Sequence, residues 1–85
     1  MGHESSAWRA GDAAAYEAAR DAANTLTALL FAVSDADALE PALAIIEAQR
    51  IQLDLLSINA FDRADVDALL ERLNERVAEL SGLLR

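Results

Sequence analysis

One segment constrains this chain more than any other. From Val66 onward, Leu70, Leu73, Val77, Leu80 and Leu84 follow at spacings of 4, 3, 4, 3 and 4, with Leu69 and Leu83 widening the stripe. Apolar residues at that rhythm fall on one side of an α-helix, and most of the intervening positions are charged. Such a stripe must be buried against another helix, so the segment commits the chain to helix-on-helix packing. Its start is marked as well. Asp62 is placed to cap, Asp65 stands three positions later as in a capping box, and Phe61 precedes the cap where it can staple against Val66. A helix is expected over 63–84.

The same rhythm appears earlier in Tyr16, Ala19, Ala23, Leu26, Leu30 and Val33, and predicts a helix over 12–33 with Asp12 as its cap. Ala15, Ala19 and Ala23 form one row at spacing four, and Ala14, Ala18 and Ala22 the adjacent row, so a second helix backbone can approach closely there. Residues 1–11 are expected to be flexible or to form a short helical segment, in which Ser5 or Ser6 starts a turn carrying Trp8. A middle helix is expected over 38–59. Asp37 and Glu40 have capping-box spacing, and Pro41 is tolerated in a first turn because its missing N–H has no intrahelical partner. Both connections are short, so successive helices should be antiparallel neighbours. The expected fold is all-α: a bundle of three antiparallel helices in one domain spanning 12–85.

Composition removes several function classes. The chain has 85 residues and no cysteine, which rules out disulfides, thiolate zinc sites and a cysteine nucleophile. Fifteen acidic residues stand against seven basic ones, all arginine, for a net charge of -8. That balance disfavours nucleic acid and anionic membranes, whose binding requires basic side chains. A charged partner is expected to be basic. The longest uncharged run, 22–34, falls well short of the roughly 20 residues a membrane span needs. The N-terminal "MGHESSAWRAG" has no basic region followed by an apolar run, so no signal peptide is read there and the expected compartment is the cytoplasm.

The stretch "QRIQLDLLSINAF", 49–61, alternates apolar and polar residues from Ile51 to Leu55 as a half-buried strand would. No other segment alternates or supplies a hairpin turn, so a strand there would have nothing to pair with. As a helix, it distributes apolar residues widely. Leu39, Leu43, Ile46 and Leu53 share one sector, while Ile51, Leu55 and Ile58 lie nearly opposite, and Ile45 and Leu56 fall between. Glu47, Arg50 and Asp54 form only a narrow polar wedge. A helix apolar over most of its circumference needs several neighbours. Either it is central, covered by two splayed flanking helices, or one face meets another chain. The favoured expectation is the second: Ile51, Leu55 and Ile58 form a partner interface, most simply a homodimer contact across a two-fold axis.

Chemistry is sparsely represented. His3 is the only histidine, so no Ser-His pair is read, and no catalytic residue is assigned. Acid pairs such as Asp35 with Asp37 and Asp62 with Asp65 sit at helix starts, where capping explains them. From Asp35, the sixth and twelfth places of a calcium loop hold Glu40 and Ile46 in place of Gly and Glu, so no metal site is read. The only glycines are Gly2, Gly11 and Gly82, which leaves no phosphate loop, and no cofactor is expected. Trp8 and Tyr16 are read as cover for the end of the core in preference to partner anchors. Gln49, Gln52, Ser57 and Asn59 sit beside apolar faces, as boundary positions or as amides and hydroxyls that set register between helices.

One further row stands out: Asp67, Glu71, Glu75 and Glu79 follow at spacing four, with Arg72 and Arg76 on the neighbouring row. It is expected to be a solvated face. The other possibility is a mimic of nucleic-acid phosphates, since the pitch is near 6 Å per step. The sequence therefore points to a small acidic helical interaction module, an adaptor, regulator or assembly subunit, that binds itself and a protein with a basic surface. The second reading is an inhibitor that occupies a basic nucleic-acid-binding site with the acidic face.

Overall fold

The computed structural model describes the backbone of residues 3–84 and the side chains of residues 13–84. The chain folds as three helices, α1 (His3–Asp35), α2 (Pro41–Ser57) and α3 (Arg63–Leu83), with no strand among the described residues. The alternating stretch at 51–55 is helical, as the absence of a strand partner predicted. The first helix runs unbroken from His3 through Asp12 to Asp35, so Asp12 lies inside it and does not start it, contrary to the expected separate N-terminal segment; the covering role expected of Trp8 concerns a side chain outside the described residues.

The helix ends follow from local chemistry. At the end of α1 the Ala38 N–H donates to the Val33 carbonyl (2.9 Å) and the Asp37 N–H to the Ser34 carbonyl (3.0 Å), with Asp37 at φ 59°. This pair of bonds closes the helix through a left-handed residue, a position that usually takes glycine and that aspartate adopts at some cost. Asp37 therefore ends α1 and does not cap α2, contrary to the expected capping box. The N-cap of α2 is Glu40, which makes no side-chain cap bond, and Pro41 occupies the first turn as anticipated. Proline disfavours helical backbone in the residue before it, and Glu40 is extended at ψ 133°. That is why α2 begins at 41 and not 38.

The second connection turns on Asn59. Its side-chain carbonyl accepts the Phe61 N–H (3.0 Å) and its backbone carbonyl accepts the Asp62 N–H (2.9 Å). Asp62 then caps α3 by accepting the Asp65 N–H at 3.2 Å, as predicted. Phe61 is 77% exposed while Val66 is fully buried, so the expected staple between them does not cover Phe61.

The core gathers on α1. Leu26, Leu30 and Val33 of α1 and Val66 and Leu80 of α3 are its most deeply buried large side chains. Both α2 and α3 pack on α1, but no Cα of α2 comes within 8 Å of one in α3. A cleft of about 260 Å³ opens between Asp54, Ser57 and Ile58 on α2 and Asp65, Ala68 and Leu69 on α3. The central helix is thus α1, not α2. Its predicted alanine row is the reason. Ala15, Ala19 and Ala23 are buried, together with Ala22, and a strip of small side chains lets a neighbouring backbone close in. The Cα envelope is correspondingly flat, 55 × 25 × 16 Å.

Long side chains reach where the backbones do not. The Arg76 guanidinium of α3 donates from Nε and Nη2 to the two carboxylate oxygens of Glu47 on α2, each at 2.8 Å. This paired geometry raises the Arg76 pKa above its ordinary value: the hydrogen bond to Glu47 outweighs partial burial, which acts in the opposite direction. The Tyr16 hydroxyl donates to the Leu55 carbonyl at 3.4 Å. That carbonyl belongs to the last turn of α2, which has no intrahelical donor left for it, so α1 completes the end of α2. Tyr16 packs against the core, the role read from the sequence. Both cross-links join residues in the order an antiparallel path requires.

Candidate partner-binding face

The second helix carries two apolar seams. Ala44, Ala48, Ile51, Leu55 and Ile58 follow at spacings of 4, 3, 4 and 3, and so do Ala42, Ile46, Gln49, Leu53 and Leu56, displaced by two residues. Two residues correspond to about 200 degrees at 3.6 residues per turn, so the seams run on opposite sides. Only one can face α1.

The structure turns the first of them inward. Ile51 and Leu55 are each 6% exposed, and Ile58 is half-buried against the same core. These three residues were expected to meet another chain; instead they hold α2 to its own α1. The physical reason is the pair of alanines between them. Ala44 and Ala48, both buried, let the α2 backbone settle against the alanine row of α1, whereas Ile46 and Leu53 would hold it off.

The outward seam is left apolar and uncovered. Ile46 is 56% exposed, Leu53 63% and Leu56 78%. Beside it runs an open groove of about 470 Å³ where α2 meets α1, lined by Thr27 and Phe31 from α1 and by Ile45, Gln49, Gln52 and Leu53 from α2. Phe31 and Ile45 are each about half exposed. The groove brings few hydrogen-bonding groups. The Thr27 hydroxyl donates to the Ala23 carbonyl at 2.9 Å within its own helix, which leaves the two glutamine amides as its main polar groups.

The acidic row lies on α3, on the side away from its core residues. Asp67, Glu71, Glu75 and Glu79 are all exposed. Arg63 bonds Asp67 at 3.1 Å, and Arg76, committed to Glu47, lies only 3.9 Å from Glu79. Among the described residues no ion pair engages Glu71 or Glu75. The row is therefore less neutralised by Arg72 and Arg76 than the sequence suggested. Leu70, Asn74 and Ala78 lie alongside it in a shallow depression of about 620 Å³.

No group of three or more metal-ligating side chains converges among the described residues, and no described helix is long and apolar enough to cross a membrane. The chain matches no family model. It has no significant similarity to a curated protein or to a solved structure. What the site can do must be argued from its own residues, and those residues offer apolar contact, two amides and a separate line of carboxylates.

Sequence reasoning missed the outward seam because it weighed apolarity and not size. The signal was present: at spacing four, the alanines Ala44 and Ala48 mark the side on which a backbone can close. Phe31 was missed for a different reason. It stands off the predicted stripe of α1 and reaches α2 only at the groove.

Proposed function

We propose that this protein is a binding module that engages a protein partner through the outer face of α2 and the adjoining groove, acting by association and not by catalysis. The observation that carries this reading is the second seam: Ile46, Leu53 and Leu56 repeat at the spacing of a helix-packing stripe, yet nothing among the described residues covers them. Removing each from water contributes about 1.5–3 kcal/mol, discounted for the part already shielded. A partner that presents an apolar helix or strand edge fits such a face.

The test is site-specific photo-crosslinking in cells that express the full chain. A photoreactive residue in place of Gln49 should yield protein adducts that disappear when Leu53→Glu is added, while the same residue in place of Glu71 should yield few. Adducts that form equally from both positions and survive Leu53→Glu would exclude the α2 face as the binding site.

A second reading rests on the exposed carboxylates of Glu71 and Glu75, which no ion pair engages among the described residues. A line of exposed charge at helical pitch suits a basic groove, and the role would then be to block a nucleic-acid-binding site. Binding of that kind weakens steeply with salt, because the Debye length falls from about 10 Å at 0.1 M to about 3 Å at 1 M. Glu71→Gln with Glu75→Gln should abolish it. Apolar binding at α2 would be largely unaffected by either change.

A further inference from the structure

Granting that the outer face of α2 binds protein, we infer that its occupant is a second copy of this chain, packed antiparallel across a two-fold axis at Gln49. The seam itself argues this. Read forward it is Ala42, Ile46, Gln49, Leu53 and Leu56; read backward, as an antiparallel neighbour presents it, Leu56 falls opposite Ala42, Gln49 opposite itself, and Leu53 within one residue of Ile46. The smallest residue meets the most exposed large one at each end, and the remaining pairs are matched in volume. A parallel pairing would set Ala42 on Ala42 and Leu56 on Leu56, leaving a void at one end and crowding at the other, both of which cost stability.

The central amide fits the same geometry. A primary amide carries both donor and acceptor groups, so two copies of Gln49 on the axis can bond each other, whereas Gln49 against a wholly apolar partner would be buried unsatisfied. A single buried amide at such a position fixes register and partner number. The area is adequate. Phe31, Leu43, Ile45, Ile46, Leu53 and Leu56 are between 47% and 78% exposed. With the flanking polar residues they offer on the order of 500–600 Å² per copy at the usual area per apolar side chain, or about 1,000–1,200 Å² for two, which reaches the lower edge of specific interfaces. Charge permits it, because the acidic row belongs to α3 and no charged residue stands in the α2 seam itself. Since both copies carry a net charge of -8, association should strengthen as salt screens their mutual repulsion.

The chain has no native cysteine, so the arrangement can be read by oxidation of introduced ones. Purified full chain at tens of micromolar should have twice its 9.1 kDa mass by sedimentation equilibrium. Leu53→Glu should return it to the monomer mass with its helical circular dichroism unchanged, since that side chain lies outside the core. Gln49→Cys should give a disulfide-linked dimer within minutes of mild oxidation. An equimolar mixture of Ala42→Cys and Leu56→Cys chains should yield chiefly the mixed dimer. A monomeric wild type whose Gln49 crosslinks to other proteins would overturn self-association and leave the binding role standing. A monomeric wild type with no face-dependent crosslink would overturn both. Homodimers of Ala42→Cys in preference to mixed ones would overturn the antiparallel arrangement.

Discussion

Helices α2 and α3 solve the same packing problem and leave opposite remainders. Each lays a 3,4 seam on α1, and neither backbone reaches the other. Away from α1, however, α2 presents Ile46, Leu53 and Leu56, and α3 presents Asp67, Glu71, Glu75 and Glu79. An outward row of carboxylates keeps a small domain soluble and has no need of a partner. An outward row of leucine and isoleucine does the reverse: it stays exposed to water at a cost unless something covers it. The fold therefore determines only one side of each helix. What the other side carries is where function is to be sought.

The largest expected effect separates the two sides of α2. Leu55→Ala removes a side chain that is 6% exposed and should destabilise the fold by about 2–4 kcal/mol. Leu53→Ala, two positions away and 63% exposed, should change the stability of the monomer by no more than about 0.5 kcal/mol. Urea unfolding of both variants in a Leu56→Glu background, which suppresses association, measures the contrast. Equal losses would mean that the inner and outer seams have been assigned to the wrong faces.

Smaller effects test how α2 is fastened. Tyr16→Phe keeps the ring and removes the donor to the Leu55 carbonyl, so thermal unfolding should report a loss of about 0.5–1 kcal/mol. At 3.4 Å the bond is long, which favours the lower end. The Glu47 and Arg76 pair is about one-third exposed on each side, so a double-mutant cycle with Glu47→Gln and Arg76→Gln should give a coupling of roughly 0.5–1 kcal/mol. A coupling near zero would mean that α2 and α3 are independent arms on α1.

Much of this architecture was legible in the residues. The 3,4 rhythm located α1 and α3, the lack of any strand partner made α2 a helix, Asp62 and Pro41 marked two starts, and the row of Ala15, Ala19 and Ala23 identified a surface for close approach. Two things were not legible. Asp37 was read as a cap because aspartate favours helix starts, yet the short link between Asp35 and Pro41 needs a left-handed residue to reverse the chain, and aspartate tolerates that as well. The facing of α2 was misjudged because both its sectors are apolar, and periodicity reports polarity without volume. Which sector turns inward depends on steric fit with α1, a property of two segments together. The same coupling drew Arg76 to Glu47 across 29 positions, leaving only a long 3.9 Å contact to Glu79 of the acidic row.

The smallest effect concerns that row, and its sign matters more than its size. Glu71 and Glu75 stand one turn apart with no ion pair among the described residues, and like charges at that spacing oppose the helix by about 0.2–0.5 kcal/mol. Replacing both by glutamine should therefore stabilise α3 by a few tenths of a kcal/mol in chemical denaturation at low salt. Near 1 M salt, with a Debye length of about 3 Å, the gain should vanish. Glutamine is as good a helix former as glutamate, so propensity does not confuse the comparison. If the variant is instead less stable, the carboxylates are engaged within the fold and the row is not a free acidic face. If it is more stable at low salt only, the two outer faces stand as described: α3 bears a small electrostatic penalty that solvent relieves, and α2 an apolar one that only another surface can.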